Sequence, residues 1–187
     1  MNLRHLIRAQ QSRLDFYEGK GIPKLFHEAN ESDTVFLKMH VALIEGAIDE
    51  AAQLANQLEI IRTKNNTNQA RDLDDCLNPY LEVLGTNGEF YLANFDEIES
   101  LKVEPVESFL ENIWLRVDIT IKDGPSGTAH LPLVYINSES DLEKLGQVTD
   151  WTELKEDFLI GKGMKMVFVD DEAITIPNLT INLLENA

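Results

Sequence analysis

The sequence predicts an α+β fold, with an N-terminal helical segment followed by a mostly antiparallel β-sheet. Three observations predict it. Apolar residues recur at spacings of three and four as far as Ile61, the alternation becomes strand-like from Glu89 onward, and a polar stretch from Lys64 to Arg71 separates the two regimes. The expected organisation is a helical segment over 1–64, a linker over 65–71 and an acidic α+β domain over 72–187.

The first helix rests on Leu3, Leu6, Ile7, Leu14 and Tyr17, which form one apolar stripe, and Gly19, Gly21 and Pro23 end it. Thr34 to Glu45 is apolar nearly all round, which predicts a central helix covered on most sides. Gly46 then breaks the chain before an alanine-rich stripe of Ile48, Ala51, Ala52, Ala55, Leu58 and Ile61. Small residues there permit a neighbouring helix to approach closely, so the pair reads as an antiparallel hairpin. Gly46 with Ala51 and Ala52 resembles the middle of one tetratricopeptide unit. No second copy follows at a period near 34 residues, so no repeat array is expected.

Asp72 to Leu84 is expected to be a short helix, with Asp72, Asp74 and Asp75 in its first turn complementing the helix dipole. Asn87-Gly88 marks a turn. Candidate strands follow at 90–92, 101–103, 114–121, 129–135, 165–169, 173–176 and 180–184. Val117, Ile119 and Ile121 alternate cleanly with Asp118, Thr120 and Lys122, and Asp123-Gly124-Pro125-Ser126-Gly127 turns the chain into a hairpin. Pro132 in the return strand predicts an edge position or a bulge. Short helices are expected near Phe95–Ile98 and Ser140–Leu145, with Trp151 on a loop.

The chain of 187 residues is 43% apolar and 26% charged, ordinary for a globular protein and sufficient for a real core. No apolar run approaches the roughly 20 residues needed to cross a bilayer. Met1 to Arg8 lacks an apolar signal-peptide core, so the expectation is a cytoplasmic protein without a membrane segment. Cys76 is the single cysteine, which excludes an intramolecular disulfide and a four-cysteine zinc site. The net charge is −17, and residues 1–71 balance at nine basic and nine acidic, so the whole excess lies beyond Arg71. Such a charge repels phosphate backbones, which argues against nucleic acid. It favours solubility, and it would also steer a basic partner.

Reactive chemistry is sparse. The cluster Asp72, Asp74, Asp75 has hard-cation ligand types but no calcium-loop pattern, and solvated acids at a helix start are the simpler reading. His5, His27, His40 and His130 form no His-Glu-x-x-His pair. Cys76 follows two acids, which disfavours the thiolate. Gly161-Lys162-Gly163 is not followed by a phosphate-loop Lys-Ser/Thr and reads as a bend or bulge. Trp114, at the start of a patterned strand, is expected in the core, whereas Trp151 fits a core or an anchor reading. No catalytic residue, cofactor site or metal site is expected.

Several segments together resemble the ImpE/TagJ family, also called the SciE-type virulence proteins. They are Arg71-Asp72-Leu73-Asp74-Asp75, Pro79 to Leu84, Asn87-Gly88-Glu89-Phe90-Tyr91, Val103-Glu104-Pro105 with Glu107, and Ile113-Trp114. Asp123-Gly124 with Gly127, Leu131-Pro132-Leu133-Val134-Tyr135, Leu145-Gly146, Thr149-Asp150-Trp151, Gly161-Lys162-Gly163 and a turn at 168–172 continue the series. The resemblance implies a non-catalytic, cytoplasmic accessory protein of bacterial type VI secretion, with the sheath small subunit and the ClpV ATPase as partners. Family members usually begin with further tetratricopeptide-like helices than this chain carries. The rival readings are a metal-dependent hydrolase using the acids near Asp72, and a scaffold self-associating through the alanine-rich helix.

Overall fold

The computed structural model describes residues 2–65, 70–169 and 171–182. Helix α1 (Leu3–Tyr17) turns Leu6, Ala9 and Phe16 inward, and Gly19, at φ +73°, ends it where the sequence predicts. Helix α2 (Glu31–Ile44) starts at a capping box. Asp33 N–H donates to Asn30 Oδ1 at 3.1 Å, and Asn30 N–H donates to Asp33 Oδ2 at 2.8 Å. Gly46, at φ +74°, separates it from α3 (Ile48–Asn65), and Ala51, Ala52 and Ala55 are buried in the resulting hairpin. Phe36 and Met39 are fully buried, as a helix covered on most sides requires, but Val41 and Ile44 are 53% and 49% exposed. The hairpin packs on one side of α2 and leaves the opposite stripe in solvent.

The remainder is antiparallel sheet, completing the α+β class. Strands β2 (Tyr80–Gly85), β3 (Phe90–Asn94), β4 (Ile98–Val103), β5 (Trp114–Ile121), β6 (Ser126–Pro132) and β11 (Thr180–Asn182) form six strands in the order β11-β4-β5-β6-β2-β3. Strands β1 (Arg71–Asp72), β9 (Met166–Val169) and β10 (Glu172–Thr175) form a second sheet, and among the described residues β7 (Thr149–Lys155) pairs only with β8 (Phe158–Gly163). A single 3-10 turn at Phe95–Glu97 and the one-turn helix α4 (Asp141–Lys144) stand close to the two expected short helices.

The large sheet is apolar on both faces at β2 and β3, whereas β5 buries one face and turns Arg116, Asp118 and Thr120 outward on the other. Tyr80, Leu84, Phe90 and Leu92 join Phe16, Phe36, Met39 and Leu58 in a core beneath the helices. Leu81, Val83, Leu101, Val117, Ile119 and Leu131 belong to a second core with Val167 and Ile176. This double burial explains one correction. Residues 72–84 are not a helix but β1, a turn and β2, because a strand covered on both faces shows an unbroken apolar run instead of alternation.

Four further corrections follow. The bend expected at Gly161 and Gly163 lies within β8, and the loop expected at Trp151 is β7. The return strand runs over Ser126–Pro132, earlier than 129–135. Pro132 is on no edge strand, since β6 lies between β5 and β2; it is tolerated because β6 pairs with β2 only at His130 and Ala129, short of the proline. Most of the expected linker (66–69), one residue of the 168–172 turn (170) and the end of the last strand (183–184) lie outside the described residues.

Candidate functional site

Arg13 occupies the buried stripe of α1 between Ala9 and Phe16, and Glu82 occupies the helix-facing side of β2 between Tyr80 and Leu84. Packing those apolar faces together forces the two charges to meet. Arg13 Nε and Nη2 donate to Glu82 Oε1 and Oε2 at 2.7 and 2.9 Å, a bidentate pair, and Tyr17 Oη–H donates to Oε1 at 2.8 Å. Lys165, between β8 and β9, donates from Nζ to Glu82 Oε2 at 2.7 Å and lies 3.1 Å from Asp72 Oδ2. Tyr135 Oη–H donates to Asp72 Oδ1 at 2.9 Å. Arg13, Glu82, Lys165 and Asp72 are all buried.

The alternating charges determine the protonation states. Burial alone would raise Glu82, but Arg13 and Lys165 overrule it and hold its carboxyl well below the usual range. Burial would lower Lys165, and Asp72 with Glu82 raises it instead. Asp72 is raised by burial against the pull of Lys165.

Asp74 carries the residual strain. Burial and the neighbouring Asp72 charge push it up to about 7, although Cys76 N–H and Gly161 N–H donate to its two oxygens at 2.7 and 2.8 Å. Asp75 accepts from Arg71 Nη2 at 2.7 Å and from Leu159 N–H at 2.8 Å. The acid run therefore clamps β8 to the rest of the fold. The expectation of solvated acids at a helix start is overturned for Asp72 and Asp74.

Other family-motif residues converge on the same place. Gly161 lies so close to the Tyr135 ring that a Cβ there would run into it, and a Cβ on Gly163, at φ +78°, would strike the Val148 carbonyl. Trp151 is half-buried with its ring 5.8 Å from that of Tyr135, and Asp150 accepts from Trp151 N–H. Thr149 Oγ1–H donates to the Met164 carbonyl at 2.8 Å. Asn87, Gly88, Trp114 and Pro132 lie elsewhere. The first two form the β2–β3 turn beside His5 and Arg8, and Trp114, half-buried, donates from Nε1 to Gln10 Oε1 at 3.2 Å.

Tyr17 was read only as part of the apolar stripe of the first helix, and Arg13, Glu82 and Lys165 were not singled out from sequence. Their signal is a charge placed within an apolar stripe or run. Chemically the network is closed largely by its own ion pairs and hydrogen bonds, with Asp72 Oδ2, among the described residues, held by the Lys165 charge alone. Cys76 is raised by burial and the nearby acids, and burial lowers His40 to about 4 while its Nε2–H donates to the Cys76 carbonyl at 3.2 Å. Among the described residues, no group of three or more His, Cys, Asp or Glu is placed to hold a metal ion. An open cleft of about 450 Å³ lies between the start of α2, the end of α3 and the β5–β6 turn, with His27 at 3.1 Å from Glu97 on its wall. Exposed apolar side chains occur on α1 (Leu3, Ile7), on α2 (Val41, Ile44), between β4 and β5 (Val106, Phe109, Ile113) and around α4 (Leu142, Leu145, Val148), with Ile22 and Phe109 the most exposed at 81% and 78%.

The family model described as ImpE protein matches residues 64–181. The type VI secretion system accessory component TagJ of Pseudomonas aeruginosa is 32% identical over 85 residues, a stretch covering 44% of this chain and 30% of that protein. The crystal structure of protein VPA1032 from Vibrio parahaemolyticus matches with a TM-score of 0.86 at 29% identity, over 99% of this chain and 74% of that one.

Proposed function

The chain belongs to the ImpE family, and from that premise we propose that it is a non-catalytic accessory protein of bacterial type VI secretion, acting by holding other proteins. The name of the Pseudomonas relative directs the reading to that machine. The observation that carries the docking mechanism is the disposition of side chains. The carboxylates that would perform chemistry are buried and neutralised by Arg13, Lys165 and backbone amides, whereas apolar residues of α2 and α4 face outward.

In this reading the partners are the sheath small subunit and the ClpV ATPase, and the cargo is an amphipathic helix laid against the protein. The helices of residues 32–62 and the acidic part beyond Arg71 are the surfaces offered. The setting is the cytoplasm, and no described helix is long and apolar enough to cross a membrane. A pull-down at low salt with the intact chain as bait tests the proposal. Retention of the sheath small subunit or ClpV is expected, and retention of neither removes the adaptor role.

A further inference from the structure

Asn87 is the one asparagine of the chain that is followed by glycine. That pair is especially prone to internal cyclisation, because glycine sets no side chain in the way of its own nitrogen. Asn87 is exposed at the tip joining β2 to β3, and Gly88, at φ +87°, closes the turn.

The fold occupies both reacting groups in other bonds. Gly88 N–H donates to the Gly85 carbonyl at 3.0 Å, which ties up the nucleophile. The Asn87 carboxamide is held at both ends, Oδ1 accepting from Glu89 N–H at 3.1 Å and Nδ2 donating to Tyr91 Oη at 2.8 Å. Tyr91 is itself fixed, its ring stacked 4.7 Å from that of Phe26. Helix α1 then clamps the turn. His5 Nδ1–H donates to the Thr86 carbonyl at 2.8 Å, and Arg8 pairs with Glu89 at 3.2 Å. A Cβ on Gly88 would meet the Arg8 side chain at 3.2 Å and the His5 carbonyl at 3.4 Å, so the two elements lie in close contact. Cyclisation needs these bonds to release together, which makes local opening of the turn the controlling event.

We propose that Asn87 is a deamidation site whose chemistry the folded turn withholds, with α1 and Tyr91 setting how often it is released. On opening, solvent base removes the Gly88 amide proton and the nitrogen bonds to Asn87 Cγ. The Cγ–Nδ2 bond breaks, and the departing nitrogen takes up a proton to leave as ammonia. One water then opens the cyclic imide at either carbonyl, giving isoaspartate or aspartate. Either product places a new carboxylate beside Glu89 and removes the donor to Tyr91. Isoaspartate also adds a methylene to the backbone of the turn, which displaces Gly88 from beneath His5 and Arg8. Modification therefore unfastens the first turns of α1.

Intact-mass and isoaspartate measurements on the full chain, aged at mildly alkaline pH with and without guanidinium chloride, test this. A gain of about one dalton, placed at Asn87 by fragmentation, is expected in denaturant. The folded chain is expected to react about tenfold or more slowly. Tyr91→Phe keeps the ring on Phe26, and Arg8 is a surface residue. Tyr91→Phe and Arg8→Ala are each expected to raise the folded-state rate about threefold or more while leaving the denatured rate unchanged. Hydrogen exchange of the aged, isoaspartate-bearing chain is expected to be faster in α1 than before ageing. Equal rates with and without denaturant overturn the proposal, as does an Asn87 that stays intact in denaturant. A folded-state rate that either variant leaves unchanged, or α1 exchange unaltered by ageing, contradicts it as well.

Discussion

Glu82 is fully buried and holds two cations at once, Arg13 from α1 and Lys165 from the strand region beyond β8. Replacing Glu82 with leucine strands both cations in a low-dielectric interior, and removing one partner of a buried pair costs about 3–5 kcal/mol. Urea denaturation of Glu82→Leu is expected to show a loss of that size. His40 gives a pH signature. Its folded pKa is about 4 against the ordinary 6.5, so between those values the unfolded chain binds a proton that the folded chain refuses. Stability therefore falls as pH drops from 6.5 to 4, by up to about 3 kcal/mol from this group. His40→Gln is expected to flatten that part of the profile in denaturant titrations at stepped pH. The acid run Asp72–Asp75 was visible in the sequence, but its burial was not. Nothing local reveals that Lys165 and Tyr135, both distant in sequence, would reach Asp72.

At the scale of elements, legibility followed the number of covered faces. α1, the break at Gly46 and the β5–β6 hairpin each leave one face in water, so their periods could be read directly. β2 is apolar on both faces, and β8 has its glycines set by close approach to Tyr135 and Val148; neither shows a period. Gly161→Ala tests the second explanation. The Tyr135 ring would have to move, breaking its bond to Asp72, and overpacking of this kind costs about 1–3 kcal/mol. A lower thermal midpoint with a red-shifted tryptophan emission, from Trp151 losing its packing on Tyr135, is the expected result. An unchanged midpoint would mean that β8 is not locked by that contact.

For the whole molecule, the excess of negative charge beyond Arg71 was plain from composition, and the structure shows how the fold handles it. Part is turned inward and neutralised by two buried cations, and most of the remainder among the described residues lies at least partly exposed. A surface of that kind suits a protein partner, and the family match supplies the setting in which to look for one. The most direct measurement is isothermal titration calorimetry of the intact chain against purified type VI sheath small subunit and, separately, ClpV. Saturable heat with at least one of them, weakening as salt is raised, is the predicted result. A folded protein that gives no heat with either at low salt contradicts the account.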